Sequence, residues 1–278
     1  MNHLTGIYLF SLTAAILSGV AAGITGTFVV TRRLAVMSGG LAHAVLGGIG
    51  LAVFLSFDPM WGAFAAALLF VLVLVFAKNR MKEREDTVIA SLWSLGMALG
   101  ILFLSLTPGY TVDLISYLFG NILIVTPGNL WALGILDLIL TGAVLLFRRH
   151  ILYVSFDEEY AAMRGLPVNL MAFLFLAVIA VAIVLLTRIV GLVLVIALLA
   201  LPASAANLFS KRLSSMMILA AFFAVFFNII GLTLAFALNL PSGATIIIVA
   251  SAGYGAARWI KGLMKKRKSP GITSSGAR

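Results

Sequence analysis

VNLMAFLFLAVIAVAIVLLTRIVGLVLVIALLALPASAANLF, residues 168–209, carries a single charge, Arg188, in two consecutive apolar stretches of about twenty residues each. A stretch of that length crosses the roughly 30 Å hydrocarbon layer as an α-helix, the form that satisfies every backbone polar group internally. The rest of the chain repeats the pattern. Of 278 residues 63% are hydrophobic and 10% charged, and the mean hydropathy is +1.17. A soluble domain has about a quarter charged residues. Too little polar surface is left for a cytosolic enzyme, a secreted domain or a nucleic-acid-binding module. The longest stretch without a span, around 148–166, is too short for a core of its own, so any nucleotide chemistry belongs to another chain. There is no cysteine, which removes disulfides, thiolate metal sites and thiol catalysis together.

Working outward, spans are predicted at 7–30, 36–57, 60–77, 88–106, 130–147, 168–187, 189–208, 214–238 and 243–260. A tenth apolar piece, LISYLFGNILIV at 114–125, lies between Pro108-Gly109 and Pro127-Gly128 and has only a dozen residues. That length suits a re-entrant or outward-facing interfacial helix. The fold class expected is therefore all-α, a polytopic membrane protein of nine transmembrane helices plus this short outer helix.

Charge parity supports the count. If 114–125 does not cross, one side of the membrane holds Arg32 and Arg33; Lys78, Arg80, Lys82 and Arg84; Arg148, Arg149 and Arg164; Lys211 and Arg212; and seven more basic residues from Arg258 to Arg278. Only Arg188 falls outside. Basic residues mark the cytoplasmic side, so the N-terminus is expected outside and the C-terminus inside. The same location explains the net charge of +10 without invoking nucleic acid. The opening MNHLTG lacks a basic flank and a small-residue cleavage site, so the first apolar segment is expected to stay as a span. Residues 1–260 form one membrane domain on this reading. The tail from Lys261, KGLMKKRKSPGITSSGAR, is expected to lie unstructured against anionic head groups. No 20–50-residue repeat or pair of inverted halves stands out.

Four stretches carry information beyond hydropathy. In VSFDEEYAAMRGLPVNL (154–170), Ser155 or Asp157 can cap a short helix over about 155–166. Asp157, Glu158 and Glu159 lie at the positive end of its dipole, and Gly165 with Pro167 stops it. Such a helix is unstable alone in water, and Phe156, Tyr160 and Met163 give it an apolar face for a partner's groove. The alternative is an amphipathic helix at the lipid surface, which the acidic residues disfavour. In RRLAVMSGGLAHAVLGGIG (32–50), His43, Gly47 and Gly50 fall at i, i+4 and i+7, with Gly39 and Gly40 one turn below. The imidazole thus projects where another backbone can come close. It is either a metal ligand or pathway-lining group, or a neutral histidine bonded across a helix interface. His3 and His150 read as ordinary solvated residues.

Asp137 lies in the fifth span, about 10 Å below its outer end, without a basic residue in that span. It must face water, a cation or a hydrogen-bond donor, or be protonated. Asp58 and Asp113 belong to outer loops. Pro202, followed by Ala203, Ser204, Ala205 and Ala206, should kink or end the seventh span. Gly19 with Gly23, and Gly96 with Gly100, have the spacing of close helix packing, more often within one chain than between two.

Together these stretches resemble the membrane subunit of the metal-uptake ABC transporters, the zinc/manganese/iron permeases of the ABC-3 family. RRLAVMSGGLAHAVLGGIG is similar to that family's arginine-led second span, FDEEYAAMRGLPV (156–168) to its cytoplasmic coupling helix, and VGLVLVIALLALPASAANLF (190–209) to its Val-Gly…Pro-Ala signature. YLFGNILIVT (117–126) is similar to a fourth family stretch. The resemblance implies the large-importer architecture of cobalamin and siderophore uptake systems, in a bacterial or archaeal cytoplasmic membrane. It implies a homodimer around a central pathway and an external metal-binding lipoprotein or periplasmic protein. Two ATP-binding subunits would grip Phe156, Asp157, Glu158, Glu159, Tyr160, Met163, Arg164 and Gly165. No cofactor would sit on this chain; a divalent metal ion would be its cargo, ATP would be hydrolysed in the partner, and His43 and Asp137 would be the metal-contacting candidates. The family commonly has an aspartate four residues before the histidine and a serine directly before it; here Gly39 and Ala42 stand there. Asn207 stands where arginine is often found.

Two other classes compete. A cation- or proton-coupled secondary transporter could relay charge through His43 and Asp137; the coupling-helix-like loop argues against it. A membrane enzyme would need a catalytic cluster, and the sequence has no HExxH motif and no paired intramembrane aspartates.

Overall fold

The computed structural model of the chain describes residues 2–78, 84–108, 122, 125–156, 163, 167–210 and 212–268. Each of the nine apolar stretches is a helix: α1 (Asn2–Thr31), α2 (Ala35–Phe54), α3 (Pro59–Phe76), α4 (Glu85–Leu106), α5 (Pro127–Phe156), α6 (Val168–Val190), α7 (Leu192–Phe209), α8 (Leu213–Leu238) and α9 (Ser242–Lys268). All nine are long and apolar enough to cross a membrane. Among the described residues there is no strand. The short helix expected at 114–125 lies outside the described residues except for Ile122, which is buried, and Val125.

Local chemistry sets the joints. Thr31 ends α1, Arg33 turns through a left-handed φ of 58°, and the Leu34 N–H closes onto the Val29 carbonyl at 2.7 Å. Between α2 and α3, Ser56 takes the same left-handed geometry. Asp58 then caps α3 by accepting the Met60 N–H at 2.8 Å, with Pro59 in the first helical position, where a missing N–H costs nothing. Glu85 and Asp86 occupy the first turn of α4, the positive end of its dipole. A single residue, Gly191, joins α6 to α7 with φ 89° and ψ 157°, a conformation essentially confined to glycine. It is buried between Val190 and Leu192, both at most 1% exposed.

The helices form two packing groups. In one, α2 packs on α4 and α3; in the other, α1 packs on α8 and α7, and α9 on α7 and α8. Helix α6 joins them, touching α3, α5, α2, α7 and α1. Its Ala180, Ala182 and Ile183 are completely buried. The outer surfaces of α3, α4 and α5 are rows of exposed leucine, isoleucine and aromatic residues, as expected where lipid is the solvent.

One local expectation narrows and two change. Of the two outcomes expected at Pro202, a kink or an end, the end does not occur: α7 continues to Phe209. Buried Pro202 lacks an N–H, yet Ala203, Ala205 and Ala206, all fully buried, hold the helix against its neighbours. α5 runs through Ser155 to Phe156, so Ser155 is inside a long helix and does not cap a new one. The physical reason is that no glycine or proline interrupts the chain between Gly142 and Gly165. α9 continues through Lys268, eight residues into the basic stretch expected to be unstructured from Lys261. There the Lys261 ammonium lies 5.7 Å above the centre of the Phe209 ring.

Candidate functional site

His43 owes its setting to the register of α2 against α4. Ideal Cβ atoms placed on Gly47 and Gly50 would lie 2.8 and 2.6 Å from the carbonyl oxygens of Gly96 and Gly100. One placed on Gly40 would lie 2.7 Å from the Ile89 side chain. Residue numbers rise together along both helices, so α2 and α4 run parallel, backbone on backbone. Only hydrogen in place of a side chain permits that approach. Gly39 faces elsewhere, toward Ile196 of α7 at 3.8 Å.

Within this seam the His43 ring stacks on Trp93 of α4, with centroids 4.8 Å apart and planes 9° from parallel. The Trp93 indole N–H donates to the Met97 sulfur at 3.1 Å, one turn further along α4. That bond uses the indole's one donor inside its own helix and leaves the ring face for the imidazole. The His43 Nδ1 is buried and has no hydrogen-bond partner. His43 is eleven residues from the end of α2 at Phe54, about 17 Å at 1.5 Å per residue.

Asp137 lies on α5 beside buried Leu133, Leu136 and Leu140. Its Oδ1 is likewise buried without a partner. Because α5 begins at Pro127, three residues earlier than hydropathy places it, Asp137 is about 15 Å from that end. It therefore sits at a depth similar to that of His43. The two helices are not main neighbours of each other: α5 packs on α1 and α6, and α2 mainly on α4 and α3, with smaller contacts to α6, α7 and α1. Among the described residues no group of three or more His, Asp or Glu side chains could hold a metal ion. Among the described residues, one copy of the chain thus offers His43 and Asp137 only as separate candidate donors, whereas a closed zinc site takes four ligands.

Of the residues assigned to the cytoplasmic helix, Phe156 ends α5 and Met163 is 79% exposed. Asp157, Glu158, Glu159, Tyr160, Arg164 and Gly165 lie outside the described residues.

Sequence reasoning missed three features. Trp93 and Met97, fifty residues from His43, carry no mark that assigns them to it. Asn228 is completely buried, and its amide donates to the Ala15 carbonyl at 2.9 Å and to Ser18 Oγ at 3.3 Å. A lone asparagine in the phenylalanine-rich eighth span was the available signal.

Comparison with known proteins covers almost the whole chain. Residues 7–261 match the ABC 3 transport family. An uncharacterised membrane protein of Synechocystis is 41% identical over 244 residues, 88% of this chain and 87% of that protein. A manganese transport system membrane protein of Halalkalibacterium halodurans is 34% identical over 247 residues, 89% of this chain and 85% of its own. Among solved structures, PsaBC from Streptococcus pneumoniae in complex with Fab superposes with a TM-score of 0.79 at 30% identity, covering 90% of each chain.

Proposed function

The chain belongs to the ABC 3 transport family, and from that membership we propose that it is the permease subunit of an importer carrying a divalent metal ion, manganese before zinc or iron. The observation that carries the choice of metal is the identity to a manganese transport system membrane protein across nearly nine-tenths of the chain. The chain is a multi-pass membrane protein, and its function is passage of a solute rather than chemistry on one.

In this reading two copies enclose the pathway and ATP-binding subunits bind the face that carries residues 155–166. An external binding protein delivers the ion. The N-terminus faces outside and the basic loops face the cytoplasm. ATP binding and hydrolysis in the partners shift the population between outward- and inward-open arrangements. His43 and Asp137 are the polar contacts of the route. Each has a buried atom without a partner, a cost in an apolar environment that an ion or its water can relieve. Gly39 and Ala42 supply no ligand beside His43, so the ion is held weakly, which suits conduction rather than storage. Imidazole and carboxylate with water suit Mn²⁺; the thiolates that favour softer metals are missing from the whole sequence.

The test is uptake of radioactive manganese and zinc into proteoliposomes containing the chain with its ATP-binding and external partners. ATP-dependent manganese uptake is expected, reduced at least about tenfold by His43→Ala, which corresponds to about 1.4 kcal/mol. Uptake that ignores ATP and follows an imposed potential or pH gradient would overturn the importer reading in favour of a cation-coupled carrier.

A further inference from the structure

A histidine that contacts a metal through one ring nitrogen is ordinarily oriented through the other, which bonds a carboxylate, a backbone carbonyl or a water. Among the described residues His43 has no such bond at Nδ1, which is buried without a partner. Gly39, one turn before it, and Ala42, directly before it, bring no polar side chain. The torsion that turns an imidazole about its Cβ–Cγ bond is broad, so an unbonded ring left to itself would sweep its nitrogens through many directions. Its orientation has to come from elsewhere in the seam.

Trp93 supplies it. The two rings lie 4.8 Å apart and 9° from parallel, and turning the imidazole out of that plane would drive its edge into the indole. The indole is itself held, since its N–H donates to the Met97 sulfur at 3.1 Å. The helices are in contact on both sides of the stack. A Cβ on Gly40 would lie 2.7 Å from the Ile89 side chain, and one on Gly47 would lie 2.8 Å from the Gly96 carbonyl oxygen. With the backbones fixed that closely, the rings stay face to face.

Two consequences follow for an ion. The lone pair of an imidazole nitrogen lies in the ring plane, so a cation reaches it alongside the indole and not through it. An imidazole that shares its lone pair with a cation becomes electron-poor, and the indole face is the most electron-rich that a side chain offers. The stack therefore favours the metal-bound ring over the free one, a preference that an aliphatic side chain of similar bulk does not supply.

We propose that Trp93 is the positioning residue for His43, its indole face replacing the hydrogen-bonded partner that usually orients a metal-contacting imidazole, with Met97 locking the indole in place. This rests on the reading of His43 as a contact of the transported ion.

The emission of Trp93 gives a direct test in the reconstituted transporter. Trp61, Trp131 and Trp259, each at least 70% exposed, are replaced by phenylalanine, and the signal is read as the difference from a chain that also carries Trp93→Phe. Manganese chloride titrated to millimolar concentration should quench this emission saturably. The quenching should vanish in His43→Phe, which keeps a ring in the stack and loses both nitrogens. ATP-driven manganese uptake should fall about tenfold in Trp93→Leu, the scale for losing the outer partner of a metal ligand, and recover most of that loss in Trp93→Phe, which restores a ring face. Should Trp93→Leu fail to fold, Met97→Leu, which keeps the bulk and frees the indole N–H, gives the same comparison at a smaller effect. Emission that ignores manganese, quenching that persists in His43→Phe, or equal uptake by Trp93→Leu and Trp93→Phe would each overturn the proposal while leaving the importer reading intact. Wild-type uptake that ignores ATP would overturn the importer reading instead, and the quenching would still decide whether Trp93 serves an ion at His43.

Discussion

The seam between α2 and α4 and the seam between α1 and α8 are both lined with glycine, and they are closed in different ways. In the α1–α8 seam the helices run antiparallel. Cβ atoms on Gly19 and Gly23 would collide with the backbones of Val225 and Ala221, and one turn away Asn228 bonds across to Ala15 and Ser18. In the α2–α4 seam the helices run parallel, and no side-chain hydrogen bond crosses it among the described residues. It is closed by backbone contact and by His43 stacked on Trp93. One seam is bridged by its polar side chain, whose amide N–H groups bond across the interface although the Asn228 Oδ1 is itself buried without a partner, and the other leaves its ionisable side chain with a buried, unpartnered nitrogen and no bond across. An interhelical hydrogen bond fixes two helices. An unpartnered imidazole adds little to holding them and remains open to a ligand, which is the arrangement that the proposed metal contact requires.

The contrast can be broken most severely at the glycines. Gly96→Leu should destabilise the protein by about 3 kcal/mol or more, because a Cβ there would lie 2.5 Å from the Ala44 carbonyl oxygen and neither backbone can retreat without repacking α2. Gly142→Leu on α5 meets no atom within 4 Å and should change stability by less than about 0.5 kcal/mol. Thermal unfolding of both variants in one detergent checks the pair. A similar loss for the two would show that the seam is not the close contact described.

Gly191→Ala should cost about 2 kcal/mol, as a Cβ at φ 89° is strained whatever the space around it. Denaturation by the same method measures this, and an unchanged midpoint would contradict the single-residue joint. Asn228→Leu should cost about 1 kcal/mol, the scale of an interhelical hydrogen bond in a membrane. The larger penalty should fall on the α1–α8 seam, detected as faster hydrogen exchange in those two helices.

His43→Leu should have the smallest effect on stability, within about 1 kcal/mol, the scale of the lost ring stacking, while uptake falls at least about tenfold. That opposition between stability and transport sharpens the comparison. A histidine serving only as a structural group would lose both together, as Asn228 should.

Much of the fold was legible because hydropathy is local. Each apolar stretch became a helix, and the four stretches that resembled the ABC-3 permeases lie in a chain that matches that family over residues 7–261. Helix ends were less legible. Residues 148–156 are too polar to count as a span, yet nothing in them breaks a helix, so α5 continues to Phe156. Hydropathy reports where lipid ends, and the helix ends only where the backbone is stopped. The candidate site was legible in part. His43 and Asp137 stand out as polar groups in apolar spans, but the stack on Trp93 depends on α2 and α4 lying parallel in one register, and no spacing within either segment encodes that.

The sequence by itself determined that the chain lives in a membrane, that it crosses with nine apolar helices, and which family it joins. Each of these follows from residue type and order within one segment. Tertiary structure alone decided which glycines meet, that the helices of His43 and Asp137 have different main neighbours, and that Arg32, Arg33 and Lys78 share one cavity. These are contacts between segments distant in sequence, fixed by how closely helix surfaces can approach, and that is a property of the packed bundle rather than of any one helix.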